Sequence, residues 1–321
     1  MKAIVQDGYG SADVLQLREV DKPAVADDRV LVRVRAASVN ALDWHTVHGG
    51  WFMRGAALAM RQPVFPIRGV DVAGVVEAVG AKVTQVRPGD EVFGTGRGTF
   101  AEYTTTREDR IVPKPPELSF EQAAAMAVAG VTALQGLRDT SDVKPGQRII
   151  VYGAGGGVGT FAVQIAKALG AHVTAVTSTK NLELVRGLNP DVLFDYTQED
   201  FTRRPERYDV FFDVAGNRPL TDGKRVLTPT GKVVVAGAGK KGGGGPLTRL
   251  LAVMVRKRMG QPYTTFLANV NHQDLLVLKD LVETGKVCPV IDRQYPLSEA
   301  SEAVRYVGSG KARAKVVIKV S

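Results

Sequence analysis

The sequence predicts an α/β chain of two domains, one a doubly wound parallel sheet and the other a smaller, barrel-like β domain. Three observations carry this. A short apolar run, Arg148–Tyr152, enters a glycine cluster and leaves it as an amphipathic helix. Strand and helix periods then alternate to about residue 272. Residues 1–120 and the C-terminal stretch lack that rhythm. At 321 residues the chain exceeds one nucleotide fold and accommodates two domains.

In chain order, the first domain shows β-rich runs at Arg29–Ala36, Val70–Val79 and Glu91–Phe93, set apart by Gly, Pro and Asp turns. Pro113, Pro115 and Pro116 close it, and Ser119 with Glu121 and Gln122 marks a helix start before the apolar run to Val131. Arg148–Tyr152 then reads as a buried strand. Gly153, Gly156 and Gly159 follow at three-residue spacing, where the backbone must turn and approach a pyrophosphate. Phe161, Ala162, Ile165, Ala166 and Leu169 recur at helical spacing, so the first helical turn, with Gly157 and Val158, aims free N–H groups at phosphate. The cluster is G-x-x-G-x-x-G, with Val158 where the strict dinucleotide pattern needs glycine, and its surroundings decide its meaning.

Those surroundings are strands at His172–Thr177, Val192–Tyr196, Tyr208–Val214, Lys232–Ala236 and Thr264–Val270. Between and after them run helical stretches through Leu182, Leu184, Val185 and Leu188 and at Asp274–Val282. Such alternation implies a parallel sheet with its ligand at the carboxyl ends of the strands. Pro289–Ile291 and Lys315–Val320 are strand-like around a helix at Leu297–Tyr306 and have no glycine cradle. The tail therefore completes the first domain, giving 1–121 with 273–321, and an inserted nucleotide domain at 122–272.

Composition narrows the class. Hydrophobic content of 44% and charged content of 23% are those of an ordinary globular protein. MKAIVQDGYG reaches charge too early for a signal peptide, and no apolar run approaches the roughly 18 residues of a membrane span, so a cytoplasmic protein is expected. One cysteine, Cys288, excludes an internal disulfide and a thiolate zinc site; it reads as a packed small residue. The net charge of +9 raises nucleic-acid binding, but the basic residues are dispersed and Arg256–Arg258 lacks interleaved aromatics. Residues 249–258 combine apolar positions with a basic end, as a subunit-interface or lid helix would, and Lys240–Gly245 reads as a loop and lid.

With both halves in view, the chain resembles the medium-chain dehydrogenase/reductase superfamily, in its zinc-free quinone oxidoreductase branch. The resemblance rests on VLVRVRAASVNALD at 30–43, GVDVAGVVEAVG at 69–80, RPGDEVFG at 87–94, GTFAEYTT at 98–105 and AAAMAVAGVTALQGL at 123–137. The cradle, YDVFFDVAG at 208–216 and GKARAKVVI at 310–318 complete it. It implies a GroES-like catalytic domain beside a Rossmann nucleotide-binding domain. Zinc-dependent members place a Cys where this chain has Asn40, a His where it has Val70 and an acid where it has Asp71, so no metal site is expected.

Without a metal, the accessible chemistry is hydride addition to an already electrophilic carbon, in a quinone or an enone. The branch generally uses NADPH. Independently, the second nucleotide-domain strand ends Thr177-Ser178-Thr179-Lys180 instead of in the acid that binds an NAD ribose, and hydroxyls with a lysine suit a 2′-phosphate. By resemblance, Tyr196 helps hold that phosphate, Thr132 contacts the nicotinamide region, Gly237 and Ala238 offer backbone groups to its amide, and Asn269 lies nearby.

The catalytic candidates are Asn40, Asp43 and His45, each with a structural alternative. Asn40 orients substrate or nicotinamide, or satisfies a strand-to-helix turn. Asp43 and His45 deliver the proton after hydride transfer, or Asp43 caps the next helix and His45 is packed, with water supplying the proton. Trp44, Trp51, Phe52 and Met53 line the substrate cleft, where aromatic walls suit flat apolar substrates, or form interdomain core.

The leading expectation is thus an NADPH-dependent, zinc-independent reductase, homodimeric as its relatives commonly are, acting on a small molecule rather than nucleic acid or membrane. Enoyl-thioester reduction, alcohol oxidation, and an NADPH-sensing regulatory or nucleic-acid-binding role are the alternatives.

Overall fold

The computed structural model describes residues 1–49, 63, 65–237 and 245–320. Trp51, Phe52, Met53, Ala238 and the 240–244 part of the glycine-rich segment lie outside the described residues. The chain divides into two compact units: Met1–Ala129 with Val270–Glu283 and Pro289–Ser321, and Gly130–Asn269 with Thr284–Cys288.

The N-terminal stretch is mostly antiparallel. Strand β1 (Lys2–Gln6) pairs with β2 (Leu15–Glu19). Strand β3 (Val30–Val39) leads into helix α1 (Ala41–Val47), and β4 (Asp71–Val79) pairs with both β3 and β5 (Glu91–Thr95). Strand β6 (Tyr103–Thr106) adds to β3, and β7 (Ile111–Pro113) to β5.

Ser119 then opens α2 (Phe120–Ala124) with a capping box: its hydroxyl accepts the Gln122 N–H at 3.2 Å while the Gln122 amide oxygen accepts the Ser119 N–H at 3.0 Å. The helix start expected at Ser119 leads into two helices across the apolar run, α2 and α3 (Ala127–Gln135), followed by a π turn over Gly136–Thr140. Helix α2 packs on β3 and β4, which is why the first unit extends past residue 121 to 129.

The second unit alternates. Strand β8 (Arg148–Tyr152), helix α4 (Gly157–Ala168), β9 (His172–Thr177), α5 (Leu182–Arg186), β10 (Val192–Asp195) and β11 (Tyr208–Asp213) come first. Helix α6 (Leu220–Arg225), β12 (Leu227–Val235), α7 (Gly245–Arg258) and β13 (Tyr263–Thr265) follow. All six strands are parallel, in the order β10-β9-β8-β11-β12-β13. Counting from β8, this is the 3-2-1-4-5-6 order of a doubly wound fold, whose direction of winding reverses between β8 and β11. Ile149, Ile150 and Val151 are all fully buried, as a strand covered on both faces requires. Strand β13 ends at Thr265, well short of the expected Val270, and beyond it the Asn269 N–H donates to the Gln135 side chain.

Helix α8 (His272–Glu283), β14 (Ile291–Pro296), α9 (Ala300–Gly308) and β15 (Lys315–Lys319) finish the chain. Strand β15 inserts antiparallel beside β3, giving the order β14-β15-β3-β4-β5-β7, so the tail does complete the first sheet. One expectation needs correction. Cys288 is exposed, not packed: the Gln164 amide bonds both its N–H and its carbonyl, at 2.8 and 3.1 Å, which fixes its backbone between buried Val287 and Pro289 and leaves the thiol outside. Trp44 packs within the first unit, tight against Gly308, where an added Cβ would stand 2.1 Å from the indole nitrogen.

Candidate functional site

The glycine cluster sits at the carboxyl end of β8, beside the reversal of strand order. Gly153 adopts φ +95°, open to glycine, and its N–H and that of Ala154 donate to the Val176 carbonyl at 3.1 Å. The Gly156 N–H returns to the Gly153 carbonyl, and Gly156 caps α4, whose first turn is Gly157, Val158 and Gly159. A Cβ on Gly159 would lie 2.1 Å from the Gly153 oxygen, so the third glycine closes the turn against its own helix. First-turn N–H groups of a helix lack intrahelical acceptors, and no acidic side chain occupies this turn. An anion fits there.

Ser178, buried, follows β9 and caps a 3₁₀ turn over Thr179–Asn181, with Thr179 and Lys180 exposed. The Tyr196 N–H donates to the Thr177 carbonyl at 3.0 Å, which brings Tyr196 alongside this turn, while its ring meets Tyr152 edge-on at 6.0 Å. Sequence reasoning missed Asp195. Its carboxylate accepts the hydroxyls of Thr179 and Thr197 at 2.6 and 2.7 Å, and although desolvation opposes them, these bonds hold the acid below its usual range.

Two more placements bear on the ligand. Gly237 donates to the Asp213 carbonyl at 3.0 Å, and any Cβ there would fall 1.9 Å from the Val214 oxygen. Asn269 is joined to Gln135 by two hydrogen bonds, which sets it against the helix that carries Thr132. Asp213, also missed, anchors this end of the sheet: it accepts the Gly216 N–H at 2.7 Å and is ion-paired with Arg249 of α7, while burial pushes its carboxyl up. No spacing in the sequence links residues 213 and 249.

In the first unit, Asn40 and Asp43 meet at the junction of β3 and α1. The Asn40 N–H donates to Asp43 Oδ2 at 2.7 Å, so Asp43 takes the capping alternative. Asp43 is enclosed, and burial, reinforced by the neighbouring charge of Asp71, raises its pKa to about 7 despite the Asn40 hydrogen bond and the charges of Lys315 and Arg68. His45 is half-buried, edge-on to Trp44 at 4.9 Å.

Asp71, fully buried at the start of β4, gathers its surroundings. Its Oδ2 accepts from Ser38 Oγ at 2.6 Å, Asn40 Nδ2 at 2.9 Å and Lys315 Nζ at 3.3 Å, and its Oδ1 accepts the Val128 N–H at 3.0 Å. Lys315 Nζ also donates to Asn40 Oδ1 at 2.7 Å. Sequence reasoning placed Lys315 only in a closing strand. The donor set does not suit zinc: the one carboxylate at the expected position is committed to an ammonium, an amide and a hydroxyl, and among the described residues no three His, Cys, Asp or Glu side chains gather.

Residues 26–116 match the alcohol dehydrogenase GroES-like domain and residues 188–318 the domain described as zinc-binding dehydrogenase. The chain is 35% identical to 2-methylene-furan-3-one reductase of Solanum lycopersicum, over 99% of this chain and 79% of that protein. It belongs to the medium-chain dehydrogenase/reductase superfamily, in the zinc-free quinone oxidoreductase branch. It is 33% identical to the chloroplastic NADPH-dependent alkenal/one oxidoreductase of Arabidopsis thaliana, covering 99% of this chain and 79% of that one. The solved quinone oxidoreductase from Coxiella burnetii superposes with a TM-score of 0.88 at 30% identity, covering 100% and 99% of the two chains. No helix among the described residues of this branch member is long and apolar enough to cross a membrane.

Two outcomes are expected from this geometry. Gly159→Ala forces its methyl onto the Gly153 carbonyl and should weaken dinucleotide binding about tenfold or more, near 1.4 kcal/mol, with the far-UV circular dichroism unchanged. Fluorescence titration measures it. Asp43 holds its proton to about pH 7 when folded but releases it near pH 4 when unfolded, so folded chains bind the extra proton between those values and this acid's share of stability falls as pH rises through them. Asp43→Asn, always neutral, should lose less stability than the parent between pH 4.5 and 7.5 in urea unfolding; equal slopes contradict the assignment.

Proposed function

We propose that this chain reduces quinones or α,β-unsaturated carbonyls with NADPH and without zinc. The observation that carries the reading is Asp71, which is ion-paired with Lys315 and bonded to Asn40 where zinc-dependent relatives carry a metal ligand. A carbonyl cannot be polarised by metal there, so the acceptor must already be electrophilic. The relatives named for alkenal/one and furanone reduction support that substrate class.

The cradle of Gly153, Gly156, Gly157, Val158 and Gly159 holds the pyrophosphate, Ser178, Lys180 and Tyr196 the 2′-phosphate, and Thr132, Gly237, Ala238 and Asn269 the nicotinamide end. When bound, the cofactor supplies a hydride. For an enone, the β-carbon accepts that hydride, the π electrons move onto the carbonyl oxygen, and a proton then reaches the α-carbon. Asn40 donates a hydrogen bond to that oxygen as charge gathers on it. Asp43 is enclosed and acts through the turn that carries Asn40, which leaves proton delivery to His45 or to water.

We further propose a homodimer. Leu250, Leu251, Met254 and Val255 form an outward apolar stripe on α7, the last two 55% and 57% exposed, and among the described residues β13 is an edge strand of the parallel sheet. A second copy covering both removes an unpaired strand edge and an apolar patch together.

NADPH should be oxidised in the presence of an enone or quinone, far faster than NADH, and undiminished by chelators; inhibition by a chelator that added zinc reverses would refute the reading. Lys180→Glu should reduce the preference for NADPH over NADH by about tenfold or more. In light scattering the parent should have twice the mass of one chain, and Val255→Glu should shift it towards monomer.

A further inference from the structure

Lys315 is 3% exposed and has no place in the dinucleotide chemistry, yet its ammonium reaches Asn40 Oδ1 at 2.7 Å and Asp71 Oδ2 at 3.3 Å. The chemistry of these partners settles which way the Asn40 amide faces. An ammonium only donates, so the atom it meets must be the amide oxygen. A carboxylate only accepts, so Asp71 must face the amide nitrogen, at 2.9 Å. One Nδ2 hydrogen is therefore spent on Asp71. Among the described residues the other has no acceptor.

We propose that Lys315 is a positioning residue that makes Asn40 a hydrogen-bond donor, never an acceptor, towards the oxygen of the reducible carbonyl. The inference rests on the reductase reading and sharpens it by specifying the polarity of the site. With Oδ1 held by a buried cation, the amide cannot flip, and electron density is drawn towards the oxygen, so the remaining N–H donates more strongly. The cation thus acts on the acceptor oxygen through one intervening amide. Such a donor gains most where charge develops, on the enolate or quinol oxygen, and least in the ground state. The site therefore selects substrates whose reducible carbon is conjugated to an oxygen able to accept a hydrogen bond.

The test is a double-mutant cycle on enone reduction. Lys315→Met alone strands the Asp71 charge in the interior and risks misfolding, so the companion variant is Lys315→Met/Asp71→Asn, which removes both charges of the pair. It should fold, bind NADPH with unchanged affinity, and lose about tenfold in kcat with little change in KM for the enone. Asn40→Asp keeps an oxygen for Lys315 but removes the N–H, and should lose about a hundredfold in kcat. Asn40→Ala should lose as much, and adding Lys315→Met/Asp71→Asn to it should cost nothing further, because the lysine acts through the amide.

Additive losses, or an unchanged kcat in Lys315→Met/Asp71→Asn beside an impaired Asn40→Ala, overturn the positioning role and leave the reductase reading standing. Full activity in Asn40→Asp overturns the donor assignment. Absence of enone and quinone turnover in the parent chain defeats the reductase reading itself.

Discussion

A single buried carboxylate, Asp71, holds together the part of the first unit where chemistry is expected. It bonds the end of β3 through Ser38 and Asn40, β15 through Lys315, and the start of α3 through the Val128 N–H. These segments are far apart in the chain, and two of them come from opposite ends of it. An ionised group in a dry interior is costly by several kcal/mol unless it is paired and hydrogen-bonded. Asp71 is tolerated because every neighbour donates to it, and the same donors immobilise Asn40. Lys315 can lie 3% exposed only because the tail strand β15 inserts beside β3 and delivers it to that carboxylate. The geometry around Asn40 thus follows from one charge pair and the donors gathered on it, while an apolar core of the same unit packs around Ile4, Val32, Val72 and Ile318.

The second unit obeys a backbone constraint instead. Gly159 lies so close to the Gly153 carbonyl that a side chain has no room, and Gly237 presses as closely on Val214. Both lie at carboxyl ends of parallel strands, where the winding of the sheet leaves helix N-termini and loop backbone facing one way. Asp213 serves these loops as Asp71 serves the first unit: its carbonyl and carboxylate hold Gly237, Gly216 and Arg249. A carboxyl kept dry and matched with a partly buried arginine ties α7 to the sheet, and α7 also carries the outward apolar stripe.

Much of this was legible in the residues. The alternation of periods placed β8 and β9 to the residue, because strands buried on both faces read as unbroken apolar runs. The capping box at Ser119 located a helix start, since it is a purely local exchange of two hydrogen bonds. Boundaries set by distant packing were less visible: α2 joins the first unit because of the sheet beneath it, and β13 ends at Thr265, with Asn269 beyond it bonded to Gln135. Cys288 looked like a core residue by type, but its side-chain direction follows from a bond between its backbone and Gln164, 124 residues away.

What the sequence by itself determined is whatever depends on local spacing: the strand–glycine–helix cradle and the hydroxyl and lysine ending of β9. What only the tertiary structure decided is which polar groups meet. Asp195 with Thr179, Asp213 with Arg249, and Asp71 with Lys315 are pairings across strands or across the whole chain, and no periodicity encodes them. The physical reason is that a buried charge takes its partner from whatever the folded chain brings within hydrogen-bond reach. That reach is created by sheet order, which places β15 next to β3 and thereby turns an unremarkable lysine in a closing strand into the group that orients Asn40.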